Sequence, residues 1–355
     1  MKQSEYGALR ALVRGTYDIQ KMRIQFGNRV VGQFKSKILG QRAGQPEEEL
    51  DEDSRDVLDR LRERYKKLMD GIKLIPPPKK FRGDEIISTY TEMALVHEYI
   101  EMETKEDGHF HLIANAVSQF PLWSEFLEGV KGCGPAMSGV IMSEIDITKA
   151  RYPSSLWKYA GLDVADDGAG RSRRKEHLIE VEYMNKKGET AVRDSITFNP
   201  FLKTKLTGVL GPSMLKSGRW IWTTKDRYDK KEPWARRIKK VDTKKDADKA
   251  AGVYGGEPKD WRGHEQWQEL VCDSPYAITY YDYKHRLEHR EKYAEDTKGH
   301  RHNMSIRYLI KMFLVDLHKA WRTLEGLPVS EPYAEAKLHM QPHSSAEIRS
   351  RRKTA

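Results

Sequence analysis

Two short stretches of the 355-residue chain carry residue types that handle phosphate. In FLEGVKGCGPAMSGVIMSEI, Phe126 to Ile145, Gly132 and Gly134 flank Cys133 and precede Pro135, with apolar residues at helical spacing on both sides. Glycines in such a hairpin admit positive backbone dihedrals, and their amides approach a phosphate closely at the start of the second helix, where the helix dipole adds attraction. Val130, Cys133, Ile141 and Met142 would then lock the two arms together. Lys131, Gly132, Gly134 and Ala136, with Cys133 between them in the turn, would hold the nucleic-acid backbone. An ordinary helix-turn-helix corner with a glycine cap accounts for the same letters. Downstream, GRSRRKEH places Arg171, Arg173, Arg174 and Lys175 within five positions. That run either extends the anionic footprint or is a solvated charged loop. Backbone contacts of this kind position DNA and do not read its sequence.

Other constellations point elsewhere. His285 and His289 share a face at a spacing of four on an expected helix, with His300 and His302 one loop later and Cys272 upstream. These residue types suit zinc, but the spacing fits no standard finger, and histidines on basic helices also meet phosphate or solvent. The reading is therefore no metal site and no cofactor; Mg²⁺ would enter only with a nuclease activity the residues do not spell out. Trp220, Trp222 and Trp234, set among Lys and Arg, could stack on unpaired bases or form a small core of their own. The acidic run Glu47, Glu48, Glu49, Asp51, Glu52 and Asp53 has no flanking apolar strand and reads as a solvated helix start.

Composition narrows the partners. Lys and Arg number 63 against 53 Asp and Glu, a net charge of +10, which favours a polyanion. The only cysteines, Cys133 and Cys272, are far apart, as in a reducing compartment rather than a disulfide scaffold. No apolar run is long enough to span a bilayer, and MKQSEYGALR lacks the apolar core of a signal peptide. The expectation is a soluble cytoplasmic protein with no membrane partner.

The elements that must position these residues are mainly α-helical. Residues 1–75 read as a helical, coiled-coil oligomerisation region. One long helix spans Glu5 to about Leu39, with Gly27 as a point of weakness, and a second, EDSRDVLDRLRERYKKLM, carries Val57, Leu58, Leu61, Tyr65 and Leu68 on one stripe. Neither has enough apolar surface to stand alone, so the two pair with each other or with another copy. Residues 76–122 read as a helical linker region. It opens at the break Pro76-Pro77-Pro78 and continues in helices over Glu85–Thr104 and His111–Gln119. Residues 123–215 form the helix-hairpin-helix core. Its later parts are a helix over Leu156–Ala160, a β-hairpin in EHLIEVEYMNKKGETAVRDSI turning at Gly188, and a helix from Pro200 to Leu210 ending at Gly211-Pro212. Residues 216–272 are a basic, Trp-containing insertion, 273–330 two terminal helices, and 331–355 a disordered basic tail. The second terminal helix puts Ile306, Ile310, Phe313, Leu314, Leu317 and Trp321 on one face.

VKGCGPAMSGVIMSEIDITKARYPSSLWKYAGL resembles the C-terminal transposase domain of the insertion-sequence one-ten family, the DEDD-type transposases that use a bridge RNA. In that family a GVGP hairpin is followed by E-I-G-D, RF-P-S and YAGL in the same order and at similar spacing. More weakly, LRALVRGTYDIQKMRIQFGNRVVGQF resembles the family's coiled-coil region, and YYDYKHRLEHREKYAEDTKGHRHNMSIRYLIKMFLVDL its terminal helices. The resemblance implies DNA transposition and recombination, with a RuvC-like nuclease domain ahead of this one whose four acidic residues hold two metals. The chain opens directly in the helical region, so a relative without that domain is expected. The resemblance also implies a serine in a short S-G motif after YAGL that attaches to the cut strand. Ala169 stands at that position before Gly170, and Ser172, three residues on, is the remaining candidate; a serine in that role needs placed neighbours to activate it.

Taken together, the sequence predicts a DNA-binding, transposase-like protein acting on double-stranded DNA as a homo-oligomer. Its role would be that of a binding or assembly subunit without its own nuclease, served by a separate nuclease subunit. The alternative is a module that binds structured RNA or is guided by RNA.

Overall fold

The computed structural model describes residues 3–40, 52–72, 74–217, 220–224, 267–272, 274–293 and 295–330. Of the sequence expectations, the acidic run at 47–51, Trp234 and the tail after 330 lie outside them. The chain divides into two compact units, Met1–Val117 and Ser118–Ala355.

The first unit is three helices: α1 (Gln3–Leu39), α2 (Glu52–Leu68) and α3 (Tyr90–Val117). α1 runs unbroken through Gly27. The apolar stripe of α2 is closed within the chain, because Val57, Leu58 and Leu61 are buried with Val30, Val31 and Phe34 of α1 and with Met93, Val96 and Tyr99 of α3. The surface that motivated self-association is thus covered by the chain's own third helix. Residues 76–117 accordingly belong to the first unit, and α3 supplies one face of its core.

Two helix boundaries differ from expectation. α3 begins at Tyr90 rather than Glu85 because Thr89, with Glu92 three residues on, forms a capping box. The Thr89 Oγ1 accepts from the Glu92 amide at 3.2 Å, and the Glu92 carboxylate accepts from the Thr89 amide at 3.2 Å and the Ser88 amide at 2.9 Å. The expected gap between Thr104 and His111 is absent, and the helix passes through Gly108. Tertiary bonds hold that stretch: Glu106 is buried and accepts from Gln20 at 2.9 Å and from Arg23 of α1. The cost of one helical glycine, about 1 kcal/mol, is smaller than what these contacts return.

The second unit is built around α9 (Lys298–Leu324), which Thr297 caps by accepting from the His300 amide at 3.1 Å. Its residues Ile306, Ile310, Phe313, Leu314, Leu317 and Trp321 are all buried, as the periodicity predicts. Against it lie α5 (Pro153–Tyr159), a rod over residues 200–216, and α8 (Pro275–Glu288), while α4 (Pro135–Glu144) packs on the rod. The rod consists of α6 (Pro200–Thr204), a π-helical stretch (Lys205–Leu210) and α7 (Gly211–Lys216). A stop was expected at Gly211-Pro212, yet the rod continues. The wide turn closes with the Gly211 amide on the Leu206 carbonyl, and Pro212 then sits in the first turn of α7, where no N–H is needed. α9 also grips the loop after α4: Arg322 donates to the carbonyls of Ile147 and Ala150, each at 3.0 Å.

The expected β-hairpin is present as β1 (Ile179–Met184) antiparallel to β2 (Thr190–Ser195), turning at Gly188 with φ +82°. A second pair was not anticipated: β3 (Trp220–Thr224) runs antiparallel to β4 (Trp267–Cys272), pairing Trp220 with Cys272. These strands lie near the two ends of the basic insertion in sequence. Among the described residues no helix is long and apolar enough to cross a membrane.

Glu92 supplies a test of the first unit. Burial alone would raise its carboxyl; bonds from Lys37, the Ser88 hydroxyl and the two capping amides overcome this and bring it down to about 2. A folded pKa below the ordinary 4.5 means that the stabilisation is complete above about pH 4.5 and fades as pH falls toward 2. Glu92→Gln keeps the capping geometry and loses the charge. Denaturant melts should show a cost of about 1–3 kcal/mol at pH 7 that shrinks to nothing near pH 2.

Candidate nucleic-acid interface

The hairpin opens on a single π-helical turn, Trp123–Leu127, and not on a long first helix. Phe126 of that turn stacks on Phe313 of α9, with centroids 6.3 Å apart, and Leu127 is buried. The chain reverses through residues 128–134 into α4, whose Val140, Ile141 and Met142 are fully buried. Pro135 stands in the first turn, where its fixed φ suits a helix start.

The two glycines do different jobs. Gly132 alone has a positive φ, +90°, and a Cβ there would lie 2.7 Å from the Met214 backbone nitrogen and from Ser217 Oγ. It is therefore a docking point for the end of the rod, not an open phosphate contact. Gly134, the N-cap of α4, is extended at φ −73°, exposed, and has open space where a Cβ would go. Cys133 corrects the contact set: it is 3% exposed, its amide donates to the Val130 carbonyl at 2.9 Å, and burial pushes its thiol up to about 11. It packs the turn. Lys131 is exposed and Ala136 half-buried, so the side facing solvent is formed by Lys131, Gly134 and Ala136.

The basic stretch is the return of a small hairpin. The Ala165 amide donates to the Ala169 carbonyl at 2.8 Å and the Arg171 amide to the Asp163 carbonyl at 3.1 Å, around Gly168 with φ +77°. Arg171 is spent within the fold, its Nε on Asp163 Oδ2 at 2.8 Å. Its carbonyl is in turn held by two cations, Lys203 Nζ of α6 at 2.6 Å and Arg307 Nη2 of α9 at 3.3 Å. Arg307 also donates to the Gly161 carbonyl at 2.9 Å and presses on Gly170, where a Cβ would stand 2.7 Å from its Cζ. Lys311, one turn along α9, sits 5.4 Å over the Trp157 ring. Arg173, Arg174 and Lys175 remain exposed.

Ser172 does have partners. Its amide donates to His177 Nδ1 at 2.9 Å, its Oγ lies 3.0 Å from the same nitrogen, and His177 Nε2 reaches Asp167 Oδ2 at 2.9 Å. His177 is 4% exposed. Ala169 belongs to the same turn, its amide on Asp167 Oδ1 at 2.8 Å.

Lys203, Arg307, Lys311, His177 and Asp167 were not singled out from sequence. Arg307 and Lys311 did leave a trace, as two cations at a spacing of four bordering the apolar face of α9. The histidines proposed for zinc go elsewhere. His302 Nδ1 bonds to the Tyr280 hydroxyl, His300 Nε2 stands 3.9 Å from Asp296, and His289 is exposed. The side chains of His285 and Cys272 are outside the described set. Among the described residues no group of three or more His, Cys, Asp or Glu is placed to hold a metal.

Gly132→Ala should destabilise the protein by about 1–3 kcal/mol, since the new methyl meets backbone at a strained φ, whereas Gly134→Ala should melt as wild type does. Equal melting of both variants would contradict the docking role of Gly132.

Residues 124–199 match the model of the Transposase IS116/IS110/IS902 family. No curated protein and no solved structure matches the chain. The matched segment is a structural whole. It begins in the π-helical turn and ends at Asn199, which caps α6 and donates from Nδ2 to Glu144 Oε2 of α4 at 2.6 Å and to the Tyr159 hydroxyl of α5 at 3.1 Å. Hairpin and basic loop therefore belong to one framework, and residues 124–199 that form it are similar to the transposase domain of the IS116/IS110/IS902 family, a likeness that supports a transposition-related role.

Proposed function

We propose that this chain binds the backbone of double-stranded DNA during transposition and serves there as a binding and assembly protein. The observation that carries the reading is the basic loop: Arg173, Arg174 and Lys175 stand exposed on a segment anchored by Lys203 and Arg307. The net charge of +10 supplies the long-range attraction. The exposed start of α4, with Lys131 beside Gly134, adds a second backbone contact. Both lean on the same rod, the loop at Lys203 and the turn at Met214, with anchors about 16 Å apart at a helical rise. That distance spans a few nucleotides of one strand.

Phosphate contacts predict weak sequence preference and steep salt dependence. Duplex binding measured from low to physiological salt should weaken steadily. Replacing Arg173, Arg174 and Lys175 by Ala together should lower affinity at least tenfold and flatten the log–log salt slope by about 3. Gly134→Val should bind several-fold more weakly while melting normally. An unchanged slope in the triple variant removes the loop from the interface. Tighter binding to structured RNA than to duplex DNA at equal salt would transfer the surface to RNA.

A further inference from the structure

We propose that the outer face of the β-hairpin docks on the basic loop of a second copy of this chain. Each copy gives its hairpin to the other's loop, so that the protein without nucleic acid closes into a dimer that covers Arg173, Arg174 and Lys175. The pairing goes beyond the duplex-binding reading and does not depend on it.

The hairpin is an element that its own chain leaves half finished. β1 and β2 form a two-stranded sheet with no third strand among the described residues, and an isolated two-stranded hairpin is at best marginally stable in water. Alternation along the strands and the pairing register divide its side chains between two faces. On one face Val181 and Ala191 are half-buried, and Arg193 lies 4.8 Å over the Tyr183 ring. The other face carries Glu180, Glu182, Met184, Thr190, Val192 and Asp194, every one of them exposed. Met184 is 76% exposed and Val192 58%. This second face is apolar toward the turn and acidic toward the root.

The charge on that face says what covers it. Glu180 stands directly opposite Asp194 in the register, and Glu182 follows Glu180 on the same face. Like charges opposite one another on a sheet repel, and among the described residues none of these three carboxylates is paired with a cation. A phosphate backbone is the wrong partner for such a face. Its complement is a cationic segment beside exposed apolar surface, and this chain offers one: Arg173, Arg174 and Lys175 are exposed, and Val164, which bridges to Gly170 across the same loop, is 57% exposed. Three cations match three carboxylates. Glu180 and Glu182 are separated by about 7 Å along β1, and the two residue steps from Arg173 to Lys175 reach about as far.

Within one chain the two surfaces do not pair, although only the 3₁₀ turn Lys175–His177 and Leu178 lie between loop and strand. Adjacent patches of opposite charge suit a two-fold axis, because the acidic patch of each copy meets the basic patch of the other and the contact closes. Exposed ion pairs contribute little each and are screened by salt, and burial of Met184, Val192 and Val164 adds an apolar share. The surface is small, so the dimer belongs with weak, transient interfaces. If the loop also meets DNA, the acidic face competes with phosphate for the same three side chains.

Nuclease-treated full-length protein is followed by sedimentation velocity from about 1 to 100 µM. Wild type should pass from monomer to dimer over that range, and the midpoint should rise at least tenfold between about 50 and 500 mM salt. Glu180→Lys with Glu182→Lys reverses the face and gives Asp194 a cross-strand partner, so the hairpin keeps its fold. Arg173→Glu with Arg174→Glu reverses the loop. Each double variant should stay monomeric on its own while melting as wild type does. An equimolar mixture of the two should recover the dimer, because reversed face then meets reversed loop and native face meets native loop. Met184→Ser with Val192→Ser, which leaves every charge in place, should raise the wild-type midpoint several-fold. A wild type that stays monomeric throughout overturns the proposal and leaves the face to a basic partner other than this chain. A dimer indifferent to reversal of the face, or a mixture that stays monomeric, overturns it as well. Duplex DNA added to the dimer separates this proposal from the duplex-binding reading. A dimer that responds to the reversals but is not dissociated by duplex keeps the pairing and removes the loop from the DNA interface, whereas duplex binding by a protein that is monomeric at every concentration keeps the DNA reading and sinks the pairing.

Discussion

The second unit depends on a carbonyl, that of Arg171, gripped at once by an ammonium from α6 and a guanidinium from α9. Two cations on one neutral acceptor, with Lys311 near by, is an electrostatically expensive arrangement. Aromatic faces offset part of that cost: Lys203 lies 4.5 Å over the Phe198 ring and Lys311 lies 5.4 Å over Trp157. Asp163 brings one negative charge near the cluster, which its partner Arg171 offsets. What the arrangement achieves is precision. A loop that would otherwise be a solvated run of charge is held against two helices, and its remaining cations point outward from a fixed base. Loops carrying function on a rigid scaffold follow this pattern widely.

The same constraint links the parts of the domain. The rod that supplies Lys203 also receives the hairpin at Gly132, and α9, which supplies Arg307, also fixes the loop after α4 through Arg322. The π-helical stretch in the rod becomes intelligible in that light. It carries the chain past Pro212 without a break, so that both contacts lie on one continuous element. Hairpin and basic loop are far apart in sequence and mechanically joined.

Much of this was legible in the letters, and the failures have physical causes. The face of α9, the β-hairpin with its Gly188 turn, the Pro135 and Pro153 helix starts and the family resemblance over Val130–Leu162 all follow from local pattern. An interruption was expected near Gly108 because sequence does not show the tertiary bonds at Glu106 that carry α3 through that glycine. The leucine stripe of α2 looked available to a second copy because its cover, α3, was divided into pieces in the reading. At the site, Gly132 and Gly134 were treated as a pair, whereas one serves packing and the other leaves room. Arg171 was counted with its neighbours because a run of cations does not reveal which member is turned inward. Lys203 and Arg307 come from distant elements and meet only in the fold. His177 stood within the quoted stretch, yet its bond to Ser172 requires a turn that spacing alone does not specify.

The central claim is that the loop at 163–177 is preorganised by its clamp rather than ordered on binding. Amide hydrogen exchange of the free protein, in wild type and Arg307→Gln, tests it most directly. The Ala165, Arg171 and Ser172 amides donate within the loop, so all three should exchange slowly in wild type and lose protection in the variant while α9 itself stays protected. Rapid exchange of these amides in wild type, or protection indifferent to Arg307→Gln, would contradict the account.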